Sequence, residues 1–217
     1  MQARVIVSEV VETDSLKVLI VDDHPMVREG LAGIFARHNI SVTGLAANGH
    51  AAIEMFQAER PDVVLLDLRL PDQSGIEVLR ALLALDPQTR VVMLTSAQGD
   101  ASVYEAIRAG ACGYLLKGIE GGALAEQLRR VAAGGKALPA ETTEKLATYI
   151  GSRKLSEREV EVLTLISKGK SNKEAAQLLF ITEDTIKMHV KNILQKLQAS
   201  DRTQAVVIAL QRGFLNL

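Results

Sequence analysis

The chain of 217 residues contains no tryptophan, and it has only one cysteine and five prolines. The single cysteine, Cys112, cannot form an intramolecular disulfide, and no group of Cys and His residues has zinc-site spacing. No apolar run reaches the roughly 18 residues that a transmembrane helix requires. The first sixteen residues carry three acids and lack the compact apolar stretch of a signal peptide. These absences predict a globular cytoplasmic protein that does not act at a membrane.

Charge is almost balanced over the whole chain but is distributed unevenly along it. Residues 1–151 contain 14 basic and 19 acidic residues, whereas residues 152–217 contain 11 basic and 7 acidic residues. This asymmetry predicts two domains, of which the second has a polyanionic partner.

Four short apolar segments each lead directly into polar residues. The segment at 63–66 is typical of a strand that is buried on both faces. The polar residues that follow the four segments are, in chain order, Asp22-Asp23, Asp67, Thr95 and Lys117. Helical patterns separate the segments, which predicts parallel strands whose carboxyl ends meet at one edge of a sheet. We therefore expect these polar side chains to share a crevice.

Strands and helices are predicted to alternate through the first part of the chain. The predicted strands lie near 17–22, 40–47, 63–67, 90–95 and 113–116. The predicted helices lie near 25–37, 50–59, 75–85, 100–109 and 120–133. This order predicts a doubly wound α/β domain, flavodoxin-like with five parallel strands, over residues 17–133. Residues 1–16 form an N-terminal extension.

The rest of the chain predicts a linker and a small all-α domain. Residues 134–153 are interpreted as the linker, within which a short helix would have Leu146 and Ile150 on one face. From residue 154 to residue 217 the apolar period is helical. Capping boxes begin two helices, Thr182 caps a third, and Asp201 begins a fourth.

The predicted crevice suits phosphoryl chemistry. Asp22, Asp23 and Asp67 offer oxygen ligands for a hard divalent cation such as Mg²⁺, or Mn²⁺ in its place. The metal would reduce repulsion among the acids and allow Asp67 to attack a phosphoryl donor. Thr95 and Lys117 could then bind phosphoryl oxygens. The alternative interpretation is structural, with the acids as turn residues, Thr95 as a helix cap and Lys117 as a solvated side chain.

Residues 16–135 resemble the receiver domain of bacterial two-component response regulators. The matching motifs are Val-Asp-Asp-His at 21–24, Leu-Asp-Leu-Arg-Leu-Pro at 66–71, Leu-Thr-Ser at 94–96 and Gly-Tyr-Leu-Leu-Lys at 113–117. The resemblance implies that Asp67 is the phosphoacceptor. It also implies that Asp23, Asp67 and the backbone carbonyl of Arg69 bind Mg²⁺ directly, whereas Asp22 acts largely through water.

The same resemblance implies that Thr95 and Tyr114 form a switch pair. The hydroxyl of Thr95 would turn toward the phosphoryl group, and the ring of Tyr114 would follow inward. In one respect the sequence departs from the family pattern. Many receivers have Lys-Pro with a cis peptide bond, whereas Lys117 precedes Gly118 here, so we expect a trans bond.

A helix-turn-helix is predicted within the carboxyl-terminal domain. On the helix after Thr182, the aliphatic residues form one stripe, and the opposite side carries Lys187, Met188, Lys191 and Asn192. Such an outer face suits reading of base edges in the major groove. A basic helix face is also often merely solvated.

Residues 155–215 resemble the LuxR/FixJ-type helix-turn-helix. The matching motifs are Leu-Ser-Glu-Arg-Glu at 155–159, Gly-Lys-Ser-Asn-Lys-Glu at 169–174 and Thr-Glu-Asp-Thr-Ile-Lys-Met-His-Val-Lys at 182–191. The resemblance implies base contacts for Lys187, Met188 and Lys191. The residues that it implies near the DNA backbone are Asn172, Lys173, Thr182, Thr185 and His189, the last of which could equally be an interior residue. On the final helix, Ala205, Val206 and Ala209 are candidates for a dimer contact.

The two halves together predict a two-component response regulator that acts as a transcription factor. A cognate sensor histidine kinase would phosphorylate Asp67, and the resulting homodimer would bind double-stranded promoter DNA. We expect no enzymatic activity beyond self-phosphorylation and slow self-dephosphorylation. An aspartyl-nucleophile hydrolase is disfavoured because it needs a second acid at the position of Arg69. A constitutive DNA-binding protein with the receiver as a dimerisation scaffold is a further alternative.

Overall fold

The computed structural model describes residues 15–96, 99–151 and 154–215. Its described strands are β1 (Leu16–Val21), β2 (Ile40–Ala46), β3 (Val63–Leu66), β4 (Val91–Thr95) and β5 (Gly113–Leu116). They form one parallel sheet in the order β2-β1-β3-β4-β5. The connection after β1 leads to one side of the sheet and the connection after β3 leads to the other, and at such a switch point the carboxyl ends of the strands leave a crevice. The predicted extension at 1–16 lies outside the described residues apart from Ser15 and Leu16.

Helices cover both faces of the sheet. They are α1 (Pro25–Arg37), α2 (Gly49–Glu59), α3 (Gly75–Leu85), α4 (Asp100–Arg108) and α5 (Gly121–Ala132). Alternate residues of β1 enter different cores: Leu19 and Val21 pack with α2, α3 and α4, whereas Val18 and Ile20 pack with α1 and α5. All four side chains are buried, as expected for a strand covered on both faces. The predicted doubly wound α/β fold is confirmed.

The segment interpreted as a linker is packed against this domain. Ala137 is buried and extends the sheet beside β5 through a parallel bridge. The next helix, α6 (Ala140–Gly151), packs on α4. Leu146 is partly buried, Tyr149 is 5% exposed, and Ile150 is 61% exposed. The short helix that the sequence predicts is therefore present.

The carboxyl-terminal part is helical. Its described helices are α7 (Glu157–Ser167), α8 (Asn172–Leu179), α9 (Glu183–Leu197) and α10 (Arg202–Arg212). Both predicted capping boxes are present at α7 and α8, and Thr182 and Asp201 cap α9 and α10. These caps satisfy backbone N–H groups that a helix start leaves unpaired. In the part of the chain that the structure describes, every helix is too short or too polar to cross a bilayer.

Candidate functional site

The carboxyl ends of β1 and β3 bring three carboxylates together, as the sequence predicts. Asp22 and Asp67 are 2% and 4% exposed, whereas the side chain of Asp23 is 38% exposed. One potential ligand atom from each acid, and one from His24, all lie within 4.8 Å of one another. Acids this close repel one another unless a cation lies between them. The oxygen-rich group therefore fits a divalent cation that prefers carboxylate ligands, such as Mg²⁺.

The ammonium group of Lys117 bridges the two buried carboxylates. Its Nζ lies 2.6 Å from Asp67 Oδ2 and 2.7 Å from Asp22 Oδ2. Burial by itself lowers the pKa of Lys117, but the hydrogen bonds to Asp22 and Asp67 outweigh burial and raise that pKa. Lys117 is therefore a cation held between the two carboxylates. It is not the solvated side chain of the alternative interpretation.

A tight loop follows Asp67 and ends at Gly75. Oδ1 of Asp67 accepts a hydrogen bond from the backbone N–H of Leu68 (2.7 Å), and the Gly75 N–H donates to the Leu68 carbonyl (2.8 Å). A Cβ atom at position 75 would overlap the carbonyl oxygen of Asp67. Because backbone atoms form this obstacle, only glycine fits here. Arg69 lies within the loop and pairs with Ser74 through an isolated antiparallel β-bridge.

The proposed switch residues lie on the two neighbouring strands. Thr95 is the last residue of β4 and is 1% exposed, and its carbonyl accepts a hydrogen bond from the Lys117 N–H (2.9 Å). Tyr114 in β5 is completely buried. Burial first, and the negative charge of Asp67 second, raise the pKa of Tyr114, which is therefore a neutral phenol. No cis peptide bond occurs among the described residues, in agreement with the expectation for Gly118.

Two groups at the pocket were missed from the sequence. His24 Nδ1 lies 2.6 Å from Asp23 Oδ1 and 3.1 Å from Asp22 Oδ1. Arg28 Nη1 donates a hydrogen bond to the Asp22 carbonyl (2.6 Å). The position of His24 next to the acid pair was a usable signal. Arg28 lies a turn into α1, and local sequence does not specify where its guanidinium points.

The outer face of α9 exposes the side chains predicted to contact bases. Lys187, Met188 and Lys191 are exposed, and Met188 is 53% exposed. The opposite face packs into the domain core through the buried aliphatic residues Ile186, Ile193 and Leu197. Asn192 and His189 are half-buried beside these two faces. The helix therefore has one face for packing and one that is open to a partner.

The residues predicted near the DNA backbone lie on two helices, α8 and α9. Thr182 caps α9, and its Oγ1 lies 2.8 Å from Thr185 Oγ1. Lys173 is exposed near the start of α8, and Asn172 Oδ1 accepts a hydrogen bond from Arg202 (3.3 Å). Of these residues, Thr182 and Thr185 are the ones that lie at the start of α9.

The predicted dimer contact on α10 needs correction. Ala205 and Ala209 are 1% and 0% exposed, because both pack into the core of the carboxyl-terminal domain. Val206 is only partly buried against the same core. Val207, which was not among the predicted residues, is 47% exposed. A side chain enclosed by its own domain cannot meet a second subunit, so Ala205 and Ala209 are core residues.

The carboxyl end of α10 rests on the amino end of α4. Arg212 Nη2 lies 2.8 Å from Asp100 Oδ2, and Asp100 is 7% exposed. A Cβ atom at Gly99 would overlap the backbone of Arg212, so the two chain segments are in close contact. Beside them, Lys154 Nζ lies 4.1 Å from the centroid of the Tyr104 ring. The two domains therefore share a specific polar and aromatic contact.

Comparisons with known proteins agree with this architecture. Residues 18–129 match the family described as the response regulator receiver domain, and residues 153–209 match bacterial regulatory proteins of the luxR family. The chain is 39% identical over 207 residues to the response regulator protein VraR of Staphylococcus aureus, which covers 93% of this chain and 99% of VraR. It is 37% identical over 215 residues to the transcriptional regulatory protein LnrK of Bacillus subtilis, with 91% and 98% covered.

A solved structure gives the same assignment over both domains. The response regulator ChrA of a heme-sensing two-component system is 34% identical, with a TM-score of 0.55 over 93% of this chain and 99% of ChrA. Together with the sheet order and the helix-turn-helix, these matches establish the family. The chain belongs to the response regulators that combine a receiver domain with a LuxR-type DNA-binding domain.

Proposed function

We propose that this response regulator is activated by phosphorylation of Asp67 and then binds promoter DNA as a homodimer. The observation that carries the proposal is the position of Lys117, whose Nζ is 2.6 Å from Asp67 Oδ2. A cation held against a buried carboxylate can follow the negative charge as it moves onto a transferred phosphoryl group. A constitutive scaffold would not need such a group.

The proposed transfer uses Asp67 as the nucleophile. A carboxylate oxygen of Asp67 forms a bond to phosphorus while the bond from phosphorus to the donor's histidine nitrogen breaks, and the electron pair returns to that nitrogen. Asp22, Asp23 and Asp67 would hold a divalent ion, Mg²⁺ or Mn²⁺, which neutralises charge on the phosphoryl oxygens. Lys117 and the hydroxyl of Thr95 would bind those oxygens after transfer.

A phosphodonor protein must cover the rim of this pocket. Next to Lys117 lies a shallow groove of about 240 Å³ whose walls include Val27, Ile34 and Ile119. Met26 at its edge is 86% exposed and adds an apolar side chain to the rim of the groove. We assign this groove to the cognate sensor histidine kinase, because a protein seated there would bring its phosphohistidine to Asp67. ChrA is described as part of a two-component system, which supports a kinase partner here.

Activation would pass from the pocket to the carboxyl-terminal domain through the segment after β4. Thr95 ends β4, and the same segment leads into Gly99 and Asp100, which contact Arg212. A shift of Thr95 toward the phosphoryl group would disturb that contact and release α10. Freed from α4, α10 would offer its exposed side, around Val207, to a second subunit.

DNA recognition is assigned to α9. Its exposed lysines and Met188 would meet base edges in the major groove, and residues around Thr182 would fix the register on phosphates. The relative LnrK is named a transcriptional regulatory protein, which supports a promoter as the target. A cytoplasmic location follows from this assignment, since the promoter is there.

We propose that the only chemistry of the chain is its own phosphorylation and slow dephosphorylation. The aspartyl-nucleophile hydrolase considered as an alternative needs an acid two residues after the nucleophile to protonate the leaving group. Arg69 occupies that position and cannot donate a proton near neutral pH.

The test is treatment of the full-length protein with a small phosphodonor and Mg²⁺. Wild type should gain one phosphoryl group by intact mass, shift to dimer and bind DNA more tightly, whereas Asp67→Asn should do none of these. Asp62→Asn is the matched control, because Asp62 caps the opposite end of the sheet by accepting from the Lys17 N–H. Phosphorylation of Asp67→Asn at the wild-type level would refute the assignment of the nucleophile. Unchanged DNA affinity after phosphorylation would favour the scaffold alternative.

A further inference from the structure

The acidic pocket contains a nitrogen donor that the proposed phosphorylation chemistry does not use. His24 directly follows the acid pair, and its Nδ1 is within 3.1 Å of an oxygen from each of Asp22 and Asp23. Its ring is 65% exposed, so it can turn without disturbing the core. Lys117 contacts Oδ2 of Asp22 whereas His24 contacts Oδ1, so the two nitrogen groups do not compete for one atom of Asp22.

The four donor atoms are close enough for one ion. Atoms bonded to one metal at about 2.1 Å lie about 3 to 4.2 Å apart, and the four atoms here lie within 4.8 Å of one another. A movement of less than about 1 Å would therefore complete a shell of three carboxylate oxygens and one imidazole nitrogen.

The chemical type of the ligand atoms decides which metal ion the pocket binds more tightly. Mg²⁺ and Zn²⁺ have nearly equal bond lengths to oxygen, so pocket size cannot distinguish them. Mg²⁺ prefers oxygen donors, whereas imidazole favours borderline transition-metal ions such as Zn²⁺, Co²⁺ and Ni²⁺. We propose that His24 is a fourth metal ligand of the pocket and gives it a preference for borderline transition-metal ions over Mg²⁺. The proposal rests on the proposed function only because both place a divalent ion beside Asp67.

The substitution His24→Asn isolates this contribution. Position 24 is the N-cap of α1, where the histidine side chain makes no capping hydrogen bond and asparagine is a favoured residue. The variant should therefore fold, and the asparagine side chain supplies a carbonyl oxygen, which is a suitable ligand for Mg²⁺. His50→Asn is the matched control, because the side chain of His50 is 83% exposed and its ion-pair partner is Glu54.

The experiment titrates unphosphorylated full-length protein with Co²⁺, followed by its visible absorption, and with Mg²⁺, followed by calorimetry. Wild type and His50→Asn should bind Co²⁺ more tightly than Mg²⁺. His24→Asn should lose at least about tenfold in Co²⁺ affinity and should keep its Mg²⁺ affinity. Removal of a group that only hydrogen-bonds to a metal ligand already lowers metal affinity by about tenfold or more, so removal of a ligand should cost at least as much.

Two results would overturn the proposal, and they can be told apart. Equal Co²⁺ affinity in wild type and His24→Asn would remove His24 from the metal shell while leaving phosphorylation of Asp67 with Mg²⁺ intact. Failure of wild type to bind either ion would overturn both this proposal and the metal dependence of the proposed function.

Discussion

Asp100 and Arg212 lie 112 positions apart in the chain and form a two-point ion pair between the domains. Arg212 Nε donates to Asp100 Oδ1 at 3.1 Å, and Nη2 donates to Oδ2 at 2.8 Å. The paired geometry fixes direction as well as distance, which a lysine could not do. This contact ties the first residue of α4 to the last residue of α10.

Arg212→Gln should open the contact between the domains. The substitution leaves the largely buried Asp100 carboxylate without its guanidinium partner, at a cost of about 1–3 kcal/mol because Arg212 is partly exposed. Amide hydrogen exchange in α4 and α10 should rise, and the unphosphorylated variant should dimerise more than wild type. Lys145→Gln, which breaks an exposed pair on α6, is the control. Unchanged exchange in both helices would show that the pair does not hold the domains together.

Gly75→Ala should destabilise the receiver domain and impair phosphorylation. The added methyl group meets the backbone carbonyl of Asp67, so the loop that carries the nucleophile must move, with a loss of about 2 kcal/mol. Chemical denaturation and phosphorylation by a small donor measure the two effects.

Gly30→Ala is the matched control for that substitution. Gly30 lies in α1 with open space around its Cα, so alanine should stabilise the protein by about 0.5–1 kcal/mol. Equal stability of Gly75→Ala and wild type would contradict the steric explanation.

The carboxyl-terminal domain should lose stability in acid through Glu159. Burial alone would raise the pKa of Glu159, but the hydrogen bonds from Lys196 and Ser156 lower it below its usual 4.5. Because the folded-state pKa is the lower one, its contribution is present above pH 4.5 and disappears as pH falls through the folded-state value. Thermal unfolding between pH 7 and pH 3, followed by circular dichroism, measures this loss.

Lys196→Met provides the comparison, since Lys196 Nζ is 2.6 Å from Glu159 Oε2. It should lower stability at pH 7 by about 3 kcal/mol, because it leaves a buried carboxylate without its cation. The difference from wild type should shrink in acid. A difference that stays constant with pH would mean that the charge of Glu159 is not responsible.

Phe180→Asn should stabilise the turn before α9. Phe180 has a φ of 55° and is 94% exposed, so it has left-handed backbone and little packing. Asparagine adopts this conformation more readily, and we expect a gain of about 0.5–1 kcal/mol in the free energy of unfolding. Leu178→Asn, at an exposed position inside α8, should instead lower stability through helix propensity. A loss in Phe180→Asn would indicate that the ring packs against a partner.

Lys191→Gln should weaken DNA binding through the exposed face of α9. Because Lys191 is assigned to a base edge, its removal should lower affinity and relax sequence preference. A fall of about 1 in the slope of log affinity against log salt, with sequence preference unchanged, would instead place this lysine at a phosphate. Lys17→Gln, at the start of β1, should leave both properties unchanged.

Local chemistry made much of the molecule predictable. Helix starts followed from capping residues such as Ser156, Ser171 and Thr182, because these bonds span only three residues. The grouping of Asp22, Asp67 and Lys117 was also predictable, since parallel strands bring their carboxyl ends to one edge. Burial within a helix was not, because Ala205 and Ala209, predicted at a dimer contact, face the core of their own domain. Local sequence does not show which of several neighbouring apolar residues will be buried by an element that is distant in the chain.

The sequence by itself determined the two domains' folds and the residues around the acidic crevice. Strand periodicity, helix capping and the polar residues at strand ends each involve only a few consecutive residues, so they can be recognised in the sequence. Only the tertiary structure decided that His24 joins the acids, that the predicted linker packs on α4, and that Asp100 meets Arg212. Those relationships depend on the positions of whole helices and strands in the tertiary structure. Local sequence does not distinguish between several possible contact partners of a side chain, and the close packing of distant elements determines which contact forms.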